Sequence, residues 1–285
     1  MKDLYLAAYS YGNLRLSPEE IIKTAKDLGF QGIELLCPLA TEHAQLLHQY
    51  GMKVIDTMEG PSEDGEIANI DLLHSLGVKY VCGTNLVAFG NRQQTLWAAE
   101  RLNRAGKRLH ENGLKLYYHN HTHEWRTDQG EYLMETLLKH TDPNYVCLQM
   151  DAGWAVCAGI DPVAFVRKYP GRVEMMHVKA CTGILGPEGV PFMAPPADGD
   201  GSFHLKPPSG GEGAPPAPDP KMGEIMAKIK SVSGAMKDCN ADYSAILKAA
   251  EENGCKAFIL ERDEQYHPDP ILCIQEDRAE LRKYW

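Results

Sequence analysis

The chain has 285 residues, 44% of them apolar and 24% charged, and carries a formal net charge of −10. One domain over residues 1–285 is expected, because that length suits a single α/β barrel better than two domains, and the ordinary composition excludes a disordered or membrane-embedded chain. The negative charge argues against nucleic-acid or anionic-membrane partners, which need fields of Lys and Arg, and favours a small neutral substrate.

In chain order the elements follow one rhythm. An apolar run at residues 4–7 comes first, and a capping box at Ser17-Pro18-Glu19-Glu20 opens the first helix. Five times a helix then ends on Gly and a short apolar, β-branched or aromatic run follows. The junctions are Gly29 before residues 32–36, Gly51 before 53–56, Gly77 before 79–82, Gly113 before 115–118 and Gly254 before 256–260. Glycine there matches the left-handed position that closes a helix. Runs at residues 146–150 and 173–178 bring the strand candidates to eight. Eight strands alternating with helices predict a parallel sheet closed into a (β/α)8 TIM barrel. An open doubly wound sheet is the alternative, weakened by the lack of Gly-x-Gly-x-x-Gly after the first strand.

One stretch breaks the rhythm. Residues 183–220 hold ten of the eighteen prolines and read as a long Pro/Gly-rich insertion after the seventh strand, reaching to about residue 235. It is expected to be a lid, an oligomer contact or a surface insertion. The eight cysteines, at 37, 82, 147, 157, 181, 239, 255 and 273, show no Cys-x-x-Cys and read as reduced, mostly buried thiols. No basic-plus-apolar leader opens the chain and no run is long enough to span a bilayer, so a cytoplasmic enzyme is expected.

Barrel strands are apolar along most of their length, so polar side chains at their C-terminal ends call for a chemical reason. Such residues are Glu34 on strand two, His119, Asn120 and His121 on five, Asp151 on six, His177 and Lys179 on seven, and Glu261 and Asp263 on eight. A lone strand-end His is usually an ordinary hydrogen-bonded core residue. Several carboxylates and imidazoles aimed into one mouth predict a divalent cation between them: Mn or Zn where His is present, otherwise Mg.

Tyr118-His119-Asn120-His121 with Glu124-Trp125, Met150-Asp151-Ala152-Gly153-Trp154, Ala158-Gly159-Ile160-Asp161-Pro162, Met176-His177-Val178-Lys179 and Ile259-Leu260-Glu261-Arg262-Asp263 resemble the sugar phosphate isomerase/epimerase family of xylose isomerase-like barrels. The resemblance implies one divalent metal held by residues from strands five to eight. Asp151, His177 and Glu261 match the last three positions. The first, a Glu in the family, is occupied here by His119 in strand register, with Glu124 in the following loop as the other candidate.

The implied function is a metal-dependent isomerase or epimerase acting through an enediolate on a keto-sugar, keto-glycoside or cyclitol. The alternatives are a lyase using the same metal site, dehydrating or cleaving a glycoside of a 3-keto-sugar, and a non-catalytic sugar-binding barrel. An endonuclease-IV-like phosphodiesterase is disfavoured by the charge. His119, His121 and Glu34 are the candidate acid–base residues, Lys179 would steady an oxyanion, and Trp125 and Trp154 would wall a sugar ring. Asp56 and Asn85 read as helix caps or hydroxyl ligands. Arg262 points outward by its parity next to Glu261, which leaves no convincing phosphate site. A carbohydrate is the expected partner, with a homo- or hetero-oligomer as the expected assembly.

Overall fold

The computed structural model describes residues 3–12, 14–35, 39–62, 65–189 and 220–285. Leu36 and Cys37, and residues 190–219 of the expected insertion, lie outside them.

Among the described residues the eight barrel strands, apart from a short antiparallel pair at Thr127–Asp128 and Glu131–Tyr132, are β1 (Leu4–Ala7), β2 (Gly32–Glu34), β3 (Lys53–Val54 and Asp56–Thr57), β4 (Tyr80–Cys82), β5 (Lys115–His119), β6 (Val146–Asp151), β7 (Val173–Val178) and β8 (Ala257–Leu260). All pair in parallel, in the order 3-2-1-8-7-6-5-4-3. The sheet begins and ends on β3, whose first half pairs with β2 and whose second half pairs with β4. Between the halves the Ile55 carbonyl accepts from the Lys79 and Tyr80 amides at 2.9 and 3.3 Å, which carries the seam past the interruption. The barrel is closed there by few bonds.

Ten helices surround the strands among the described residues, α1 (Pro18–Asp27) to α10 (Pro270–Leu281) in chain order. Ser17 and Glu20 make the capping box that opens α1. The five junction glycines all have φ between 58° and 99°, which a side chain would strain. None of the helices is long and apolar enough to cross a membrane.

Side-chain parity divides the core into two. Tyr5, Tyr80, Cys82, Tyr117, Cys147, Met175 and Ile259 fill the barrel, while Leu, Ile, Val and Phe of opposite parity pack between strands and helices. Gly32 makes room for the interior: a Cβ there would lie 2.3 Å from the Tyr5 ring and 2.7 Å from the Lys53 carbonyl. The seven described cysteines are free thiols.

At the floor β7 carries an irregularity between Val173 and Met175, and Glu174 turns to meet Tyr80 Oη (2.8 Å), Lys115 Nζ and Lys256 Nζ. Burial pushes the Glu174 carboxyl up, but the bonds from Lys115, Lys256 and Tyr80 outweigh it and hold it below the usual range. A depressed folded-state value stabilises above the unfolded value near 4.3, and that stability is lost as the pH falls further. Glu174→Gln is therefore expected to cost about 1–3 kcal/mol at pH 7. Urea midpoints of the two proteins should converge on going from pH 7 to below 4; an equal gap at both pH values would contradict this.

The insertion expected over about 183–235 contains an element its prolines concealed. Helix α8 (Pro220–Val232) opens on Pro220, and its Ile229 and Val232 pack on Trp154, Cys157 and Cys181 over the C-terminal end of the barrel.

Candidate active site

The strand ends open into a cavity of about 340 Å³. Its floor and walls come from Thr84, Asn85, His119, His121, His177, Lys179, Glu261 and Asp263; Tyr9, Met58, Trp154, Met226 and Ile229 form an apolar rim. Glu34, Asp56, Gln149 and Asp151 lie beneath, each at most 1% exposed.

Gln149 organises the deep layer. Its Nε2 donates to Glu34 Oε1 (2.9 Å) and Asp56 Oδ2 (3.2 Å), so its Oε1 must face His119 Nδ1, 2.8 Å away. An amide oxygen only accepts, so His119 carries its proton on Nδ1 and keeps a lone pair on Nε2. Burial first, then the neighbouring His177 and His121, lower the His119 pKa to about 3, so the ring is neutral. Burial and the adjoining Glu34 push the Asp56 carboxyl well up. Burial would raise Glu34 as well, but His177 holds it below its usual value, so one proton serves this pair of carboxyls.

His177 bridges the layers. Its Nε2 lies 3.1 Å from Glu34 Oε1 and its Nδ1 3.1 Å from Glu261 Oε2. Lys179 Nζ sits among three carboxylates: Glu261 Oε2 at 2.6 Å, Asp263 Oδ1 at 2.9 Å and Asp151 Oδ2 at 3.1 Å. It also lies 4.7 Å from the centre of the Trp154 ring. Although burial opposes the charge, these carboxylates keep Lys179 an ammonium. Burial raises the Asp263 pKa to about 6 against the pull of Lys179.

The donors fit a divalent cation. One ligand atom each from His119, Asp151 and His177 lies within 4.8 Å of the others. Asp151 Oδ2 is buried and, apart from the Lys179 ammonium 3.1 Å away, meets no donor; it lies 3.9 Å from His119 Nε2 and 4.0 Å from His177 Nδ1. Bonds of about 2.1 Å to one ion separate neighbouring ligands by roughly 3–4 Å, so these spacings suit a shared ion. Glu261 stands beside them.

Two sequence expectations need correcting. Glu124 does not join this cluster: its carboxylate accepts from Tyr118 Oη and the His121 amide, both at 2.9 Å, on the outer side of β5. Trp125 does not line the cavity. The 3-10 turn His123–Trp125 carries its indole outward, where it packs edge-on against Phe165, 4.9 Å between ring centres. Trp154, His119, His121, His177, Lys179 and Glu261 do line it, and Glu34 supports it from below. Asp56 lies inside the barrel and Asn85 on the wall. Arg262 points outward to Asp277 on α10. Gln149 escaped notice, although it stands two residues before Asp151 and shares its inward parity.

No family model matches the chain. An inosose dehydratase of Clostridium beijerinckii is 31% identical over 140 residues, which cover 48% of this chain and 42% of that protein. The match thus spans less than half the length of that curated relative. Among solved structures, a sugar phosphate isomerase/epimerase of Parabacteroides distasonis superposes with a TM-score of 0.68 at 20% identity, covering 99% of this chain and 93% of the other. The chain has the barrel fold of that protein. An L-ribulose 3-epimerase shares this barrel with a TM-score of 0.64 at 14% identity, covering 100% and 94% of the two chains. In this barrel the strand-end cluster lies at the C-terminal face, where TIM-barrel enzymes carry their chemistry.

Proposed function

We propose that the chain is a metal-dependent lyase acting on a polyhydroxylated ketone, a keto-cyclitol or keto-sugar, removing a proton next to the ketone and expelling the oxygen substituent on the next carbon. The observation that carries this is the grouping of Lys179 with Asp263 and Glu261 on one wall of the cavity, within 2.9 Å of the ammonium. A base and an acid on the same side serve elimination on one face. Epimerisation needs proton donors and acceptors on opposite faces, and among the described residues the only carboxylates lining the cavity, Glu261 and Asp263, share the Lys179 ammonium. Elimination therefore comes ahead of the isomerisation that the motifs favoured.

The geometry supports the following roles. His119, Asp151, His177 and Glu261 would hold the metal, which supplies polarisation of the ketone and charge stabilisation at its oxygen. Asp263, with a pKa of about 6, is poised to accept the carbon-bound proton near neutral pH. Lys179, an ammonium, gives a proton to the departing oxygen and regains it from Asp263 across 2.9 Å. Trp154 and the apolar rim receive a sugar face or the substituent it bears. The dehydratase name of the curated relative supports the same chemistry.

The test is a product analysis with Mn²⁺- or Zn²⁺-loaded protein, a keto-inositol and a 3-keto-glycoside in deuterated water. Loss of water or of the aglycone is expected. An isomer of unchanged composition carrying deuterium at carbon would establish isomerisation instead, and no turnover of either would sink the enzymatic reading for these substrates.

A further inference from the structure

A second set of donors stands behind the cavity wall. His121, His123 and Glu124 leave the end of β5 in one turn, and one ligand atom from each lies within 4.8 Å of the others. Glu124 Oε1 is 3.8 Å from His121 Nδ1, and its Oε2 is 3.4 Å from His123 Nδ1. At 3.4 Å the His123 Nδ1 contact makes no hydrogen bond. The edge of a tetrahedral site with bonds near 2.05 Å is roughly 3.4 Å.

The environment also calls for a cation. Glu124 is fully buried, and a buried carboxylate is costly without a countercharge. Tyr118 Oη and the His121 amide supply dipoles, not charge. His123 is 2% exposed, and its Nδ1, turned to this carboxylate, has no hydrogen-bond partner.

We propose that His121, His123 and Glu124 form a second divalent-cation site, separate from Asp151 and His177 and selective for a Zn²⁺-like ion because two imidazoles accompany the carboxylate. Bound through Nδ1, His121 would keep its other nitrogen as N–H, and its ring, 5.1 Å from that of His119, would be fixed as a donor on the cavity wall. This inference does not rest on the lyase reading.

Metal stoichiometry of the full chain tests it. Protein loaded with Zn²⁺ and dialysed is measured by elemental analysis, and Co²⁺ substitution reports tetrahedral sites by visible absorption. Two equivalents are expected. Glu124→Gln, which keeps one oxygen to accept from the His121 amide and sets its NH2 beside the Tyr118 hydroxyl, and His123→Ala should each lose one equivalent and retain the other. Asp151→Asn should show the reciprocal loss. One equivalent in the unmodified protein, lost only in Asp151→Asn, would overturn the second site and leave the active-site metal standing. One equivalent lost only in the Glu124 and His123 variants would establish the second site and remove the first. Two equivalents kept in folded Glu124→Gln and His123→Ala would also overturn it.

Discussion

Asp151→Asn is expected to lower turnover of a polyhydroxylated ketone by on the order of 10³-fold and to abolish tight binding at the active-site metal, exceeding the roughly 10–100-fold typical of residues behind a ligand. The substitution separates chemistry from folding. Asp151 ends β6 and caps α6 (Ala152–Cys157), with Oδ1 accepting from the Trp154 amide at 2.7 Å. Asparagine caps a helix as well as aspartate does. The other oxygen, Oδ2, faces His119, His177 and Lys179, and there the charge is lost. Lys179 keeps Glu261 and Asp263 as partners, so no buried cation is stranded. Metal content, kcat/KM and thermal midpoint measured together decide it. Unchanged metal content in a folded variant would remove Asp151 from the ligand set.

Asp277→Ala is expected to give the largest loss of stability, about 3–5 kcal/mol. Arg262 and Asp277 form an ion pair with side chains 3% and 2% exposed, joining the end of β8 to α10. Asp277 also accepts from the Met236 amide at 2.8 Å, and Arg262 donates to the carbonyls of Gly234 (3.0 Å) and Glu264 (2.9 Å). Removing the carboxylate leaves a guanidinium in a dry site with its only anionic partner, one of three hydrogen-bond acceptors, gone. With an unfolding entropy near 2.1 cal/mol/K per residue, the midpoint should fall by roughly 5–8 °C. The double variant Arg262→Met, Asp277→Leu should recover much of this, since no charge then remains buried. A double variant no more stable than Asp277→Ala would show that the ion pair was not the source of the loss.

The barrel was legible because its signals are local. A glycine that must take positive φ, followed by a run of strand formers, recurs wherever a helix hands over to a strand, and parity then assigns the inward face. What parity could not show is the break in β3, since Val54-Ile55-Asp56 reads as continuous strand. Helix α8 was hidden by the prolines before it, although Pro220 suits a first turn and Ile225, Ile229 and Val232 recur at helical spacing.

The candidate site divides along the same line. Glu34, His119, His177 and Glu261 were readable as polar residues at inward strand ends. Glu124 and Trp125 were misplaced because a 3-10 turn after β5 reverses their direction, and a three-residue turn leaves no periodicity to read. Gln149 passed unnoticed because an uncharged amide in a strand raises no electrostatic question until its neighbours are seen. Asp263 has no role legible in the sequence, since its pairing with Lys179 depends on how β7 and β8 lie together.

The outer wall of the cavity is partly supplied by Met226 and Ile229 on α8, a 13-residue helix that contributes none of the acid–base groups. On the proposed reading, proton transfer and substrate choice are thus written in different parts of the chain. Drift in α8 can change which substituent is admitted while Lys179 and Asp263 stay in register, so a lineage of such barrels can diversify its diet without reinventing its chemistry.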